Sequence, residues 1–213
     1  MDKSGAAIGI KAETKGGIKE FFSENIVLAS GGYAASKEVW NNLNPEIPFA
    51  SHCNPYSRGD GIIAAKNHGA IVDGKEKFLC TFAGWLKDPQ DPTSGEFLLL
   101  SPKARNIWEI FVNSEGRRFM QEDHQSIDYR ERALLKQPGM KMNIIFDSAI
   151  LQNASPLTLL DNKEYRNKFG NHPTFVKADS INDLALKLGV PQKNLEQTIN
   201  DYNKSVEEKN DKE

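Results

Sequence analysis

The sequence predicts an α+β protein: a β-rich leading segment followed by a mixed α/β part. Three features carry this. Residues 6–30 hold strand-like runs separated by glycine turns, and residues 181–209 hold two segments with apolar stripes at helical spacing. Between them, Phe111–Glu122 reads as a β-hairpin crowded with charge.

Ala6–Thr14 reads as a strand, Lys15-Gly-Gly17 as a turn and Ile18–Ser23 as the returning strand. Ile26–Ser30 is a continuous apolar run, the pattern of a strand buried on both faces. It ends at Gly31-Gly32, and paired glycines let backbone approach a ligand or another segment closely. Ser36 is an N-cap for a helix over Lys37–Leu43, which stops before Pro45. Asn54–Gly61 is rich in turn residues, Ile62–His68 has helical spacing, and Gly69 fits the position after a helix end. Two readings of that helix start stay open. Its free N–H groups bind an anionic group, or Asp60 caps them.

Phe78–Leu86 looks like a strand, Asp88–Gly95 is a loop with two prolines, and Glu96–Leu100 is an apolar run before Pro102 and Arg105. In the hairpin, Ile110–Val112 and Phe119–Met120 flank Asn113-Ser-Glu-Gly116, with glycine where a tight turn needs positive φ. The second strand would deliver Arg117, Arg118 and Glu122 to one end. Ile127–Lys136 fits an amphipathic helix stopped by Pro138-Gly139. Asn143–Asp147 reads as a strand, Ser148–Asn153 as the start of a helix, and Thr174–Ala178 as another strand. Ser180 caps Ile181–Leu188, whose stripe is Ile181, Leu184, Ala185 and Leu188. After Gly189-Val-Pro191, a last helix spans Asn194–Lys209, and the charged tail Glu207–Glu213 is expected to fray.

Composition narrows the function classes. A content of 38% hydrophobic and 26% charged residues describes a globular protein with a core of normal size. A net charge of −2 gives no electrostatic reason to expect nucleic acid or an anionic membrane as partner. No apolar run approaches the roughly 20 residues that span a bilayer, and Met1–Ala6 has no signal-peptide character. Cys53 and Cys80 have no CxxC spacing, which argues against zinc and disulfides and for a reducing, cytoplasmic setting. Both are expected as small buried hydrophobes.

Four stretches together resemble one family. They are Ile26–Tyr33, Arg58–Ala70, Ile110–Glu122, and Lys177–Ala185 running on through Leu195–Asn203. In this order they resemble the flavoprotein subunit of fumarate reductase and succinate dehydrogenase, and more closely its soluble fumarate, urocanate and ketosteroid branch. The family's opening GxGxxG does not occur here, and the chain stops before the family's glycine-rich return segment. The resemblance therefore implies an internal piece: residues 1–75 as the C-terminal part of a split FAD-binding domain, and 76–213 as a substrate-capping domain. The FAD site within it would be incomplete.

The resemblance implies roles residue by residue. Ala29, Gly31 and Gly32 would approach the isoalloxazine or ribose of FAD, and Gly59, Asp60 and Gly61 the cofactor's edge. Arg105 matches a family arginine near the substrate and its proton path. Glu122, within Gln121-Glu122, matches the family's Asn-Glu pair and would order the active-site loop. The family's catalytic arginine falls at Ser126, which cannot act as a guanidinium does, and Lys87–Asp91 lacks the fumarate branch's histidine. His124, Tyr129 and Arg130 are the local substitutes as proton donor, or else exposed helix side chains. The implied activity is a flavin-dependent oxidoreductase that reduces or forms a carbon–carbon double bond beside a carboxylate or carbonyl. Its small-molecule substrate would be an unsaturated carboxylic acid or an enone. The rival expectation is a cofactor-free binding or interaction module without redox activity. Either way, open apolar surface around Ile26–Leu28 should promote self-association.

Overall fold

The computed structural model describes residues 3, 5–74, 77–78, 80–82, 84–96, 106–158 and 160–211. They divide into two compact units, Met1–Phe78 and Leu79–Glu213.

In the first unit, β1 (Gly9–Thr14) and β2 (Gly17–Phe22) form an antiparallel hairpin with Thr14 opposite Gly17 and Gly9 opposite Phe22. Lys15-Gly16 is its two-residue turn, tied by the Thr14 hydroxyl, which donates to the Gly17 carbonyl at 2.8 Å. The strand expected over Ile26–Ser30 is absent. The segment joins no ladder, and Val27 and Leu28 are exposed. A run apolar on both faces holds as a strand only between sheet neighbours, and among the described residues β1 and β2 pair only with each other.

Helix α1 (Lys37–Leu43) begins as expected, with the Ser36 hydroxyl accepting the Val39 N–H at 3.3 Å. Trp40 fixes it: its ring donates to the Ile47 carbonyl at 2.8 Å and packs near Tyr33, Phe49 and Phe78. Helix α2 (Asp60–Asn67) starts earlier than expected, and its cap is Gly59 at φ +78°. Asp60 is the first helical residue and makes no capping bond, so the capping role assigned to it is corrected. Its carboxylate faces Arg58 at 3.6 Å instead. Cys53 is exposed, against the expectation of burial, while Cys80 is half-buried.

The second unit is built on β5 (Ile110–Asn113), buried along its whole length. Its antiparallel partner is β6 (Met142–Ile145), with Ile110 opposite Ile145 and Asn113 opposite Met142. The Phe119–Met120 arm expected as the hairpin's second strand makes no ladder, and the return contributes a single bridge, Val112 to Arg118. Alternation along β5 sends side chains to both faces. Ile110 and Val112 pack with Ala185, Val190 and Leu195, while Phe111 packs with Met120 and Leu157.

Around this pair lie α3 (Ile127–Leu135), α4 (Ser148–Asn153), α5 (Asn162–Lys168), α6 (Ile181–Leu188) and α7 (Gln192–Glu208). Two more short strands, β3 (Trp85–Leu86) and β4 (Gly95–Glu96), pair antiparallel. Of the expected Phe78–Leu86 strand, the described residues show Trp85–Leu86 paired with Gly95–Glu96, while Leu79 and Ala83 lie outside the described residues. The strand expected at Thr174–Ala178 is also absent. Phe175 instead joins an edge-on aromatic group with Trp85, Tyr165, Phe169 and His172 at centroid distances of 5.1 to 5.6 Å. Side-chain packing there fixes a backbone that no strand pairs with. Among the described residues, no helix is long and apolar enough to cross a membrane.

Candidate functional site

In the first unit the two glycine motifs singled out in the sequence come together. The Gly59 N–H donates to the Gly32 carbonyl at 3.0 Å, and the Ala35 N–H to the Ser57 carbonyl at 2.8 Å. The four glycines differ in purpose. A Cβ on Gly59 would meet the Tyr33 Cβ at 2.8 Å, and one on Gly61 would overlap the Ser30 hydroxyl, so these two let the strands of chain touch. Gly31 and Gly32 meet nothing within 4 Å. Gly31 sits at φ +84°, a conformation that favours glycine, whereas Gly32 has no such requirement. Protein packing does not explain the bare backbone at Gly32. Ala29 lies in the exposed run beside them, and Asp60 heads α2 next to its Arg58 partner.

In the second unit the turn at Asn113–Gly116 forms as expected, with Gly116 at φ +71°. The Asn113 N–H donates to the Arg117 carbonyl at 2.9 Å, and its side chain accepts from Glu115 and Arg117. Helix α7 clamps this turn: Thr198 donates to the Gly116 carbonyl at 2.8 Å and Asn194 to the Glu115 carbonyl at 2.9 Å.

Beyond the turn, Glu122 is buried and acts as a hub. Its Oε1 accepts the Phe111 N–H at 2.8 Å, and its Oε2 accepts Arg118 Nη2 at 2.6 Å. Arg118 reaches the other way to Asp211, with both Nη atoms at 2.7 Å from the two carboxylate oxygens. The Tyr202 ring lies 4.9 Å from its guanidinium carbon. Burial alone would lower the Arg118 pKa, but the bonds to Glu122 and Asp211 outweigh it and raise it, so the charge is fixed. Asp211 belongs to the tail expected to fray, and this ion pair ties it down instead.

The three suggested proton donors separate. Arg130 is buried and donates to the Glu122 carbonyl at 3.0 Å, which corrects its alternative as an exposed helix side chain. Tyr129 is exposed, and its ring stacks on His124 at a centroid distance of 4.1 Å. His124 Nδ1 accepts the Ser126 N–H at 3.1 Å, which leaves the ring proton of the neutral form on Nε2. Ser126 itself caps α3, its hydroxyl accepting the Tyr129 N–H at 3.2 Å. Glu122, His124, Ser126, Tyr129 and Arg130 therefore share one loop-to-helix junction. Arg105 lies outside the described residues. Sequence reasoning gave Arg118 no site role and missed Asp211. The four-residue spacing of Arg118 and Glu122 was a usable signal for the first, and nothing local pointed to the second.

A family model for the FAD binding domain matches residues 1–213, and the chain belongs to that family. It is 30% identical over 184 residues to a probable fumarate reductase, Ifc3, of Shewanella frigidimarina, covering 85% of this chain and 28% of that protein. It is 31% identical over 218 residues to an NADH:acrylate oxidoreductase of Vibrio harveyi, covering 97% of this chain and 20% of that one. Among solved structures, the open conformation of a flavocytochrome c3 fumarate reductase matches with a TM-score of 0.58 at 26% identity, covering 99% of this chain and 35% of that chain. The chain spans under a third of the length of these curated relatives. The family agrees with the one the four sequence stretches resemble.

Proposed function

We propose that this chain is part of an FAD-dependent oxidoreductase of fumarate-reductase-like type, which reduces or forms a carbon–carbon double bond beside a carboxylate or carbonyl. The observation that carries the reading is the junction of the two glycine motifs, Gly32 carbonyl to Gly59 N–H, with open backbone at Gly31 and Gly32. A flat ring system needs bare backbone to lie against, and these residues fit that part of the cofactor. FAD, when bound, supplies the hydride chemistry. Ala29, Gly31 and Gly32 would hold its ring or ribose and Gly59, Asp60 and Gly61 its edge. We assign the first unit to the flavin-binding part and the second to the substrate-facing part.

In the second unit, Glu122 keeps the 122–130 junction in one shape through Phe111 and Arg118. His124 is the proton donor we favour: its Nδ1 faces the Ser126 N–H, which leaves Nε2–H to face the substrate. The imidazolium that gives up the Nε2 proton would do so with the Ser126 bond released, returning to the neutral ring. Tyr129 orients the imidazole by stacking. The substrate class is a small unsaturated carboxylate, in keeping with relatives named for fumarate and acrylate, or an enone.

The test is reconstitution. The purified chain, incubated with FAD and passed through gel filtration, should retain flavin absorbance and oxidise a reduced viologen dye with fumarate or acrylate. A chain that emerges colourless fails the enzyme reading for these 213 residues alone and leaves them as the cofactor-free binding module. Arg105→Ala should abolish turnover with flavin retained, and unchanged turnover removes Arg105 from the site.

A further inference from the structure

Arg130 is a buried cation whose hydrogen bonds are incomplete. It is 5% exposed, and its one hydrogen bond among the described residues runs from Nη1 to the Glu122 carbonyl. Its Nε–H is sealed from solvent and has no partner at all. The Glu122 carboxylate holds Arg118 and the Phe111 N–H. Glu131, the next residue, interacts electrostatically with Arg130 and takes its hydrogen bonds from Thr81 and the Phe82 backbone. Asp128, on the same helix, holds Arg132 at 2.9 Å.

Glu131 offsets part of the charge of this buried guanidinium, but a buried N–H without an acceptor is a costly arrangement. Folded proteins keep such a group where something else completes it. Side chains on a helix lean toward its N-terminus, so Arg130 on α3 carries its charge back to the Glu122 carbonyl, on the loop that bears His124 and Ser126. The charge therefore sits at the head of the helix.

We propose that Arg130 is a binding residue for the carboxylate of a small ligand, whose two oxygens take the free Nε–H and the adjoining Nη edge. A planar fork matches a carboxylate, and a single positive charge already shared with Glu131 suits a monoanion better than a dianion. Glu122, Asp123, Asp128 and Glu131 all lie on the same stretch and would repel a dianion. The identity of the ligand as an unsaturated acid rests on the function proposed above. The anion site rests on the Arg130 geometry.

The experiment titrates the 213-residue chain with acrylate and follows the arginine Nε–Hε resonances by NMR, with sulfate and chloride at matched ionic strength as controls. Arg130 is assigned in the wild-type chain through its own backbone, so the result does not depend on a variant folding. The expected result is a saturable shift of the Arg130 resonance with acrylate that the control salts do not reproduce. Arg130→Lys should weaken acrylate binding by about tenfold or more. An unmoved resonance overturns the proposal, and so does an equal shift with sulfate and chloride. Saturable binding without reduction of acrylate by the flavin-loaded chain would overturn the reaction reading and leave Arg130 as an anion site. Turnover with an unmoved Arg130 resonance would overturn Arg130 alone.

Discussion

Glu122 and Phe111 meet where a backbone ladder would otherwise continue: the Glu122 carboxylate accepts the Phe111 N–H at 2.8 Å, two residues beyond the last hairpin bond at Asn113. A side chain has taken the place of a strand carbonyl. The same carboxylate neutralises Arg118, so one buried group closes the hairpin and anchors the junction that follows.

Removing that group should therefore cost more than a surface acid does. Glu122→Ala leaves Arg118 with Asp211 alone and orphans the Phe111 N–H, a loss of about 3 kcal/mol. Glu122→Gln keeps an acceptor for Phe111 and should lose about half as much. Urea unfolding of the two variants checks the order. Equal losses would mean that the Phe111 bond contributes nothing.

The glycine junction makes a sharper distinction. Gly59→Ala meets Tyr33 at 2.8 Å and forces an alanine to φ +78°, so it should destabilise by about 1 to 3 kcal/mol. Gly32→Ala faces open space at an ordinary φ and should leave the melting temperature within about a degree or two. If Gly32 lies against FAD, the same variant should still lose flavin on gel filtration. Retention of flavin by a stable Gly32→Ala chain would remove Gly32 from the cofactor contact.

Burial pushes the Glu131 carboxyl above its ordinary value near 4.5, opposed by the Thr81 hydrogen bond and reinforced by Asp128. The folded state thus binds the proton more tightly than the unfolded state. Stability from this group is present below about pH 4.5 and falls as pH rises through the folded value. Glu131→Gln keeps an acceptor for Thr81 and removes the titration. Its urea midpoint relative to wild type should rise from acid toward neutral pH, and a difference independent of pH would contradict the raised value.

Exposed apolar surface in the first unit gives a fourth expectation. Phe21, Phe22, Val27 and Leu28 are all more than half exposed. Such surface drives association in water. Light scattering of the chain should show mass above the monomer, reduced by Val27→Lys with Leu28→Glu. A clean monomer would show that this surface does not associate.

What the sequence made legible was local. Ser36 and Ser180 mark helix starts at the residues where α1 and α6 begin, because a cap is satisfied within three residues of itself. Asp161 with Glu164 was an equally local signal for α5, a helix absent from the sequence reading. Pairing was the illegible part. β5 takes its partner from residues 142–145, and Ile26–Ser30 finds none, yet both read as apolar runs. Asp211 reaches Arg118 across 93 residues, a distance at which charge pattern carries no information. Arg130 looked like the outward side of an amphipathic helix, and its burial depends on the carbonyl of a loop residue outside that helix.

His124 allows the proton-donor role to be separated from the loop's shape. Its Nδ1 accepts the Ser126 N–H, and its Nε2 is the atom that would deliver a proton. In His124→Asn the side-chain oxygen stands near the Nδ1 position and can still accept from Ser126, while the Nε2 donor is gone. His124→Gln places its polar end near Nε2 and abandons the Ser126 bond. If His124 is the general acid, the flavin-loaded chain carrying Asn should keep its melting temperature and lose turnover by about 100-fold or more. A purely structural His124 gives the opposite pattern, with Asn near wild type in turnover and Gln both less stable and slower. Measured together, the melting temperature and the rate of viologen oxidation in these two variants decide between the roles.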